Sequence, residues 1–412
     1  MLGRSCRVRL ALAISSLLWP MQCICQPQTH SVLCSAGNGN FDAEFRTGVK
    51  VHVGAARRSE SGTLASRACA AKLNWQKQEL LVSASASQID LDAFGADLGD
   101  GVPVAAFQIK RLDSDCCMDY GIYSLESPPR LLRTLTGGEF FSASDVDLDG
   151  RVQIWTGDAA AVDGFEKLSL SELDSAPTVV LRFDHGRLQD VSAEFQRHFD
   201  DEIARIRAAI RPQDLEDFKN SDGKLAQIPT PVSAELLHRL RMVKIKVLEI
   251  AWSYLYSGRE QDAWLWLTQT WPSPDVDRIR AAIANVRTRG IHSQADVTSL
   301  GPSHGRKKHV HVFDAVSNSG PGTKLEVTPP QGILLQRPPM SEIQQQDPQG
   351  SELLLDIVVD RCGKVRSAMP AGKVKWADPD LINAALSWKF IPAFRDHQAV
   401  ASHFRLAVSP RR

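Results

Sequence analysis

The sequence predicts a multidomain α+β chain with a β-rich N-terminal half, a helical middle region and a C-terminal ββαβ unit. Three observations carry that expectation. Period-two alternation, punctuated by Asp, Gly and Pro turns, runs to about Leu188; from about Val191 apolar residues recur at helical spacing; the last stretch returns to strand, turn, helix and strand. At 412 residues the chain is long enough for two or three domains. Lys plus Arg and Asp plus Glu both number 48, so no net field argues for nucleic acid or for an anionic membrane surface.

The N-terminus has the layout of a secretory signal over residues 1–25. Arg4, Arg7 and Arg9 precede the apolar run Leu10 to Met21, and small and polar residues follow near Cys25. The run is shorter than the ~20 residues a spanning helix prefers and Pro20 interrupts it, which favours cleavage. The alternative is an uncleaved inner-membrane anchor. Either way the mature chain is expected in the periplasm or cell envelope, where disulfides persist. Cleavage would leave Cys34, Cys69, Cys116, Cys117 and Cys362. Cys34 with Cys69 is the easiest pair to propose; the adjacent Cys116 and Cys117 are expected to take different partners, and the odd count leaves one thiol free.

Residues 27–188 read as β-rich, with clear runs at Val49 to Val53, Leu80 to Ser83, Val104 to Ile109, Tyr120 to Leu125 and Val152 to Trp155. Asp97-Leu-Gly-Asp-Gly-Val-Pro-Val aligns with Asp147-Leu-Asp-Gly-Arg-Val-Gln-Ile about fifty residues on, each an Asp-Gly turn before an apolar strand. The second turn holds the candidate metal residues Asp145, Asp147 and Asp149. Carboxylates at alternate positions before a sharp Gly turn suit a hard cation such as calcium, which takes six to eight oxygens. Residues 88–158 thereby resemble the calcium loops of FG-GAP and VCBS repeats, although Gln153 and Thr156 stand where such loops and EF-hands carry further acids. The other reading is an acidic β-turn in which Asp145 bonds its own backbone.

Residues 191–290 form the helical region. Phe195, Phe199, Ile203, Ile206 and Ile210 share one helical face, ended by Pro212, and Asp217 to Pro231 reads as a loop. Leu236, Leu240, Val243, Val247, Ile250 and Tyr254 mark a second helix, closed by Ser257-Gly258 and returned by Glu260 to Thr270. This hairpin, residues 236–270, resembles a single tetratricopeptide unit. Trp252, Trp264, Trp266 and Trp271 are either an aromatic peptide groove or, as expected, the core and rim of a bundle. Residues 291–340 lose periodicity and read as a linker with one or two short strands.

In the terminal unit, residues 341–412, Leu353 to Val359 is a strand, Asp360-Arg-Cys-Gly363 a turn with Gly supplying positive φ, and Asp378-Pro379 the start of a helix to about Trp388. From about 340 to 408 this stretch resembles the TonB C-terminal domain family. The resemblance rests on Val358 to Val365 with Gly363, on Leu381, Ala384 and Ala385, and on Trp388-Lys-Phe390-Ile-Pro392-Ala followed by Asp396 and Val400. His397 stands where a Gly is usual. Gly363, Trp388, Phe390 and Pro392 are then the packing residues of the motif. What the resemblance implies is a periplasmic module that binds short N-terminal peptides of TonB-dependent outer-membrane receptors as an added strand, in support of transport across that membrane.

An open sheet edge templates an extended peptide through its unpaired N–H and C=O groups. The final strand, with Ser402, His403, Phe404, Arg405 and Leu406, is the expected edge. Its main chain would supply affinity, and His403 and Arg405 selection. The alternatives are an edge covered by the linker or by a second copy in a homodimer. A calcium-stabilised β-repeat adhesin or ligand sensor is the other functional reading. No Gly-x-Ser-x-Gly, His-Glu-x-x-His or phosphate-cradling loop occurs, so the chain is not expected to be an enzyme, and no small-molecule substrate is indicated.

Overall fold

Alternating apolar residues in the N-terminal half build an antiparallel meander. In the computed structural model, which describes residues 32–56, 68–114, 116–173, 175–225, 234–299, 310–315, 327–335, 353–372 and 379–408, this sheet contains β1 (Cys34–Ser35), β2 (Phe41–Glu44), β3 (Lys50–Ala55), β4 (Cys69–Trp75), β5 (Gln78–Asp97), β6 (Pro103–Arg111), β7 (Met118–Ser124) and β8 (Leu131–Gly138). Strands β2 to β8 pair in sequence order and β1 pairs with β5. The expected leader, residues 1–25, lies outside the described residues. Cys34 and Cys69 form a disulfide between β1 and β4. Cys116 and Cys117 are joined to each other, which corrects the expectation of separate partners, and Cys362 is a buried free thiol.

The second sheet is built from β9 (Phe141–Ser144), β10 (Gln153–Gly157), β11 (Thr178–Asp184) and β12 (Arg187–Asp190), with short helices α1 (Ala159–Val162) and α2 (Leu170–Leu173) between β10 and β11. The two Asp-Gly turns thus fall in different sheets: the first links β5 to β6, the second β9 to β10. Each is closed by an aspartate whose side chain accepts N–H groups of its own turn. Asp97 Oδ1 accepts the N–H groups of Gly99, Asp100 and Gly101, and Asp145 accepts those of Asp149 and Gly150.

Helical spacing then produces α3 (Gln196–Ala208), α4 (Pro212–Lys219), α5 (Ala234–Tyr256), α6 (Glu260–Thr270) and α7 (Val276–Arg287). Pro212 ends the preceding helix and opens α4 at its first turn, where a missing N–H costs nothing, so a helix stands where a loop was expected from 217. The helices pack on the second sheet, and one core runs from Ala93 through Leu181, Leu248 and Trp271 to Ile291. The change of pattern near residue 190 therefore marks a change of layer within a shared core. Trp252 and Trp271 are 2 % exposed and belong to that core, while Trp264 and Trp266 are half-buried on its margin. Among the described residues no helix is long and apolar enough to cross a membrane.

The stretch read as a linker is knitted into the sheets. Strand β13 (Val297–Thr298) extends the second sheet beside β12; β14 (Phe313–Asp314) joins the terminal sheet; β15 (Gln331–Leu334) pairs with a strand of the terminal motif. The terminal unit contains β16 (Leu353–Val359), β17 (Val365–Pro370), α8 (Pro379–Leu386), β18 (Lys389–Ile391), β19 (Ala393–Arg395), β20 (Gln398–Val400) and β21 (Ser402–Val408). Its sheet runs β14-β21-β16-β17, and Leu355, Ile357, Trp388, Phe390 and Phe404 fill its core. The chain is thus α+β, with several sheets and a helical layer.

Candidate functional site

The turn between β16 and β17 shows how the terminal unit is held. Asp360, fully buried, accepts the Cys362 and Lys364 N–H groups through Oδ1 and the Arg366 guanidinium through Oδ2, which fixes the turn from within. Gly363 has φ +83°, and a Cβ there would collide with the Phe390 carbonyl, so the position demands glycine on two counts. The Phe390 N–H donates back to the Gly363 carbonyl at 2.9 Å. Trp388, Phe390 and Pro392 are buried, and Phe390 meets Phe404 edge-on at 5.3 Å between centroids, which agrees with their reading as packing residues. At the β19–β20 turn Asp396 and His397 both take positive φ, the conformation for which Gly is usual.

Two lysines of this unit reach into the meander. Lys389 donates to both oxygens of Asp90 and to the Leu91 carbonyl, all at 2.9 Å, so its ammonium has three acceptors. Lys364 donates to Asp92 at 2.7 Å and to Ser142 at 2.6 Å. The second Asp92 oxygen accepts the Tyr120 hydroxyl and the Ala143 N–H, both at 2.7 Å. Gln108 donates to Asp90 and accepts the Phe141 N–H. These charges are buried on both sides. Burial pushes the Asp90 carboxyl up to about 6 against the opposing pull of Lys389. Burial, followed by the Asp92 charge, likewise drives the Tyr120 hydroxyl upward, and burial raises the Cys362 thiol. A hydrophobic seam adds to the joint on the other face of the meander, where Ile333, Leu334, Ile391 and Phe394 pack beside Phe45 and Phe94.

The expected metal residues lie against this joint and are not gathered. Asp145 is buried, caps its own turn and lends its N–H to Asp360; the largely buried Asp149 carboxylate accepts from the Arg151 guanidinium at 2.8 Å. Burial, with Asp360 and Asp149 nearby, raises the Asp145 carboxyl to about 6. Among the described residues no group of three or more His, Cys, Asp or Glu side chains could hold a metal ion. In this arrangement Asp145 caps its own turn and Asp149 is an ion-pair partner of Arg151, as in the acidic-turn alternative.

Strand β21 is not the outer strand of its sheet, which also corrects the sequence reading. On one side it pairs with β16 from Ser402 to Val408; on the other β14 lies parallel to its start, with Phe313 N–H donating to Ala401 and Ala315 N–H to His403. Ser402 and Phe404 face the core; Leu406 is half-buried on the same face. His403 and Arg405 lie on the other face, tied to Asp314 at 3.0 Å and to Asp356 at 2.9 Å respectively. No family profile, curated protein or solved structure matches the chain.

The sequence reading found the terminal motif but missed its acidic counterpart. Ile89-Asp-Leu-Asp-Ala-Phe lies in β5, and the lysines of the terminal unit meet the face that carries Asp90 and Asp92. The available signal was the pair of lysines inside the motif, Lys364 and Lys389, which no acid within the last seventy residues was assigned to meet.

Proposed function

We propose that this chain is an envelope protein whose terminal ββαβ unit receives an extended segment of a partner protein by strand addition along β21. The single observation that carries this reading is β14. A two-residue parallel strand already sits on the outer side of β21, so that backbone has the geometry of a strand template. Because β-strand groups alternate, the N–H and C=O of His403 face β14, and those of Arg405 and Ala407 point the same way. A partner strand extends β14 or takes its place. The N-terminal peptides of TonB-dependent outer-membrane receptors are the partner class the sequence resemblance suggests, with a periplasmic location after leader removal.

The buried joint favours binding or envelope assembly over energy transduction, since the unit is fixed to a large scaffold by two satisfied ion pairs. The test uses the mature chain and fluorescent peptides from receptor N-termini. Arg405→Pro removes an outward N–H and spares the ladder to β16, as proline is tolerated at such positions. It should weaken peptide binding at least tenfold, while Arg405→Ala stays within about twofold. Equal affinity for the two variants, or no binding by the parent chain, would sink the proposal.

A further inference from the structure

A second polar constellation lies far from the terminal sheet, where the helical layer meets β12. Asp190 is 3 % exposed. Its Oδ1 accepts the N–H and hydroxyl of Ser192 at 2.9 and 2.6 Å, and its Oδ2 meets His292 Nδ1 at 2.5 Å. An imidazole so held donates from Nδ1 to the acid, and as an imidazolium it also presents an Nε2–H donor directed away from that acid. Nε2 makes no hydrogen bond among the described residues.

Arg287, at the end of α7, stands beside it. Its guanidinium lies over the Tyr256 ring at 5.8 Å and makes no ion pair or hydrogen bond among the described residues, although Nε is buried. Arg239, Arg259, Arg361 and Arg366 also hide a nitrogen, but each bonds through another one. Arg287 differs in having no polar partner among the described residues. It lines an open depression of about 450 Å³ together with His292; Trp264 contributes a wall and Glu260 the single lining carboxylate, which accepts the Trp264 indole N–H at 3.0 Å.

We infer that this depression binds a small oxyanion-bearing ligand, its carboxylate or phosphate group held between the Arg287 guanidinium and His292. A half-buried guanidinium without acceptors gives up charge-assisted hydrogen bonds that a planar oxyanion supplies in a forked geometry. The Trp264 indole offers an apolar face to the ligand's body. Glu260 opposes high negative charge, so a monoanion is favoured over a dianion.

The test is titration of the mature chain with sodium acetate and with inorganic phosphate at constant ionic strength, following the His292 ring nitrogens by NMR, with His292→Asn to assign them. Saturable movement of those signals is expected with at least one probe: acetate alone identifies a carboxylate site, phosphate alone a phosphate site. Arg287→Gln should weaken binding at least tenfold, and Glu260→Gln should tighten it several-fold. That opposite sign separates lost recognition from lost folding. If neither probe moves the His292 signals saturably, or if Arg287→Gln binds as the parent does, the inference is wrong.

Discussion

The two sides of the terminal unit meet their surroundings in opposite ways. On the turn side, Asp360, Lys364 and Lys389 are buried and every formal charge has a geometric partner: Arg366, Asp92 and Asp90. On the β21 side, a seven-residue strand carries, among the described residues, a neighbour of two residues. Buried charge is tolerated only where its partners are fixed, so the turn side is built to stay closed. A short parallel strand held by a few backbone bonds is a weak cover. The difference fits anchoring on one side and, on the proposed function, strand exchange on the other.

The comparison breaks most readily at the ion pairs. Lys389→Met leaves Asp90 buried without its cation and should cost about 3–5 kcal/mol in denaturant unfolding; adding Asp90→Asn should restore most of it. A loss under about 1 kcal/mol for the single variant would mean that the joint is open to water. Gly363→Ala forces a side chain into positive φ and against the Phe390 carbonyl, and should cost about 1–3 kcal/mol by the same measurement. On the exposed β21 side, Arg405→Ala removes one contact to Asp356 and should cost less than about 1 kcal/mol.

Acidity sharpens the same contrast. Asp90 and Asp145 hold their protons to about pH 6 in the folded chain, against an ordinary value of 3.8. Above 3.8 the unfolded chain binds fewer protons than the folded one, so their contribution to stability is greatest below about pH 4 and falls as pH rises through about 6. Asp145→Asn should flatten that decline when melting temperature is followed from pH 4 to 7. An unchanged slope would place the titration elsewhere.

The sequence made the terminal motif legible because its parts are local. The Asp360–Gly363 turn, the Pro379 helix start and the alternation through Phe404 each declare themselves within a few residues. The helices of the middle region were legible for the same reason, apart from α4, where Pro212 both ends and begins a helix. What stayed hidden was long-range. Asp90 and Asp92 could not be singled out because period-two alternation cannot distinguish a face in water from one against a docked domain. One or two short strands were expected in the linker, but β13, β14 and β15 are each too short for their periodicity to show which sheet they join. Asp145, Asp147 and Asp149 had the spacing of a cation loop, but burial of the first and the Arg151 partner of the third were not encoded in that spacing. The pairing of Asp190 with His292 likewise joins residues 102 apart.

The central claim, that β21 is a template for an added strand, is tested most directly by amide hydrogen exchange of the protein with and without a receptor N-terminal peptide. Slowing of at least tenfold at Arg405 and Ala407, with Phe404 and Leu406 already protected by β16, is the predicted result. Saturating peptide that leaves Arg405 and Ala407 unchanged, or protects a different strand, would contradict it.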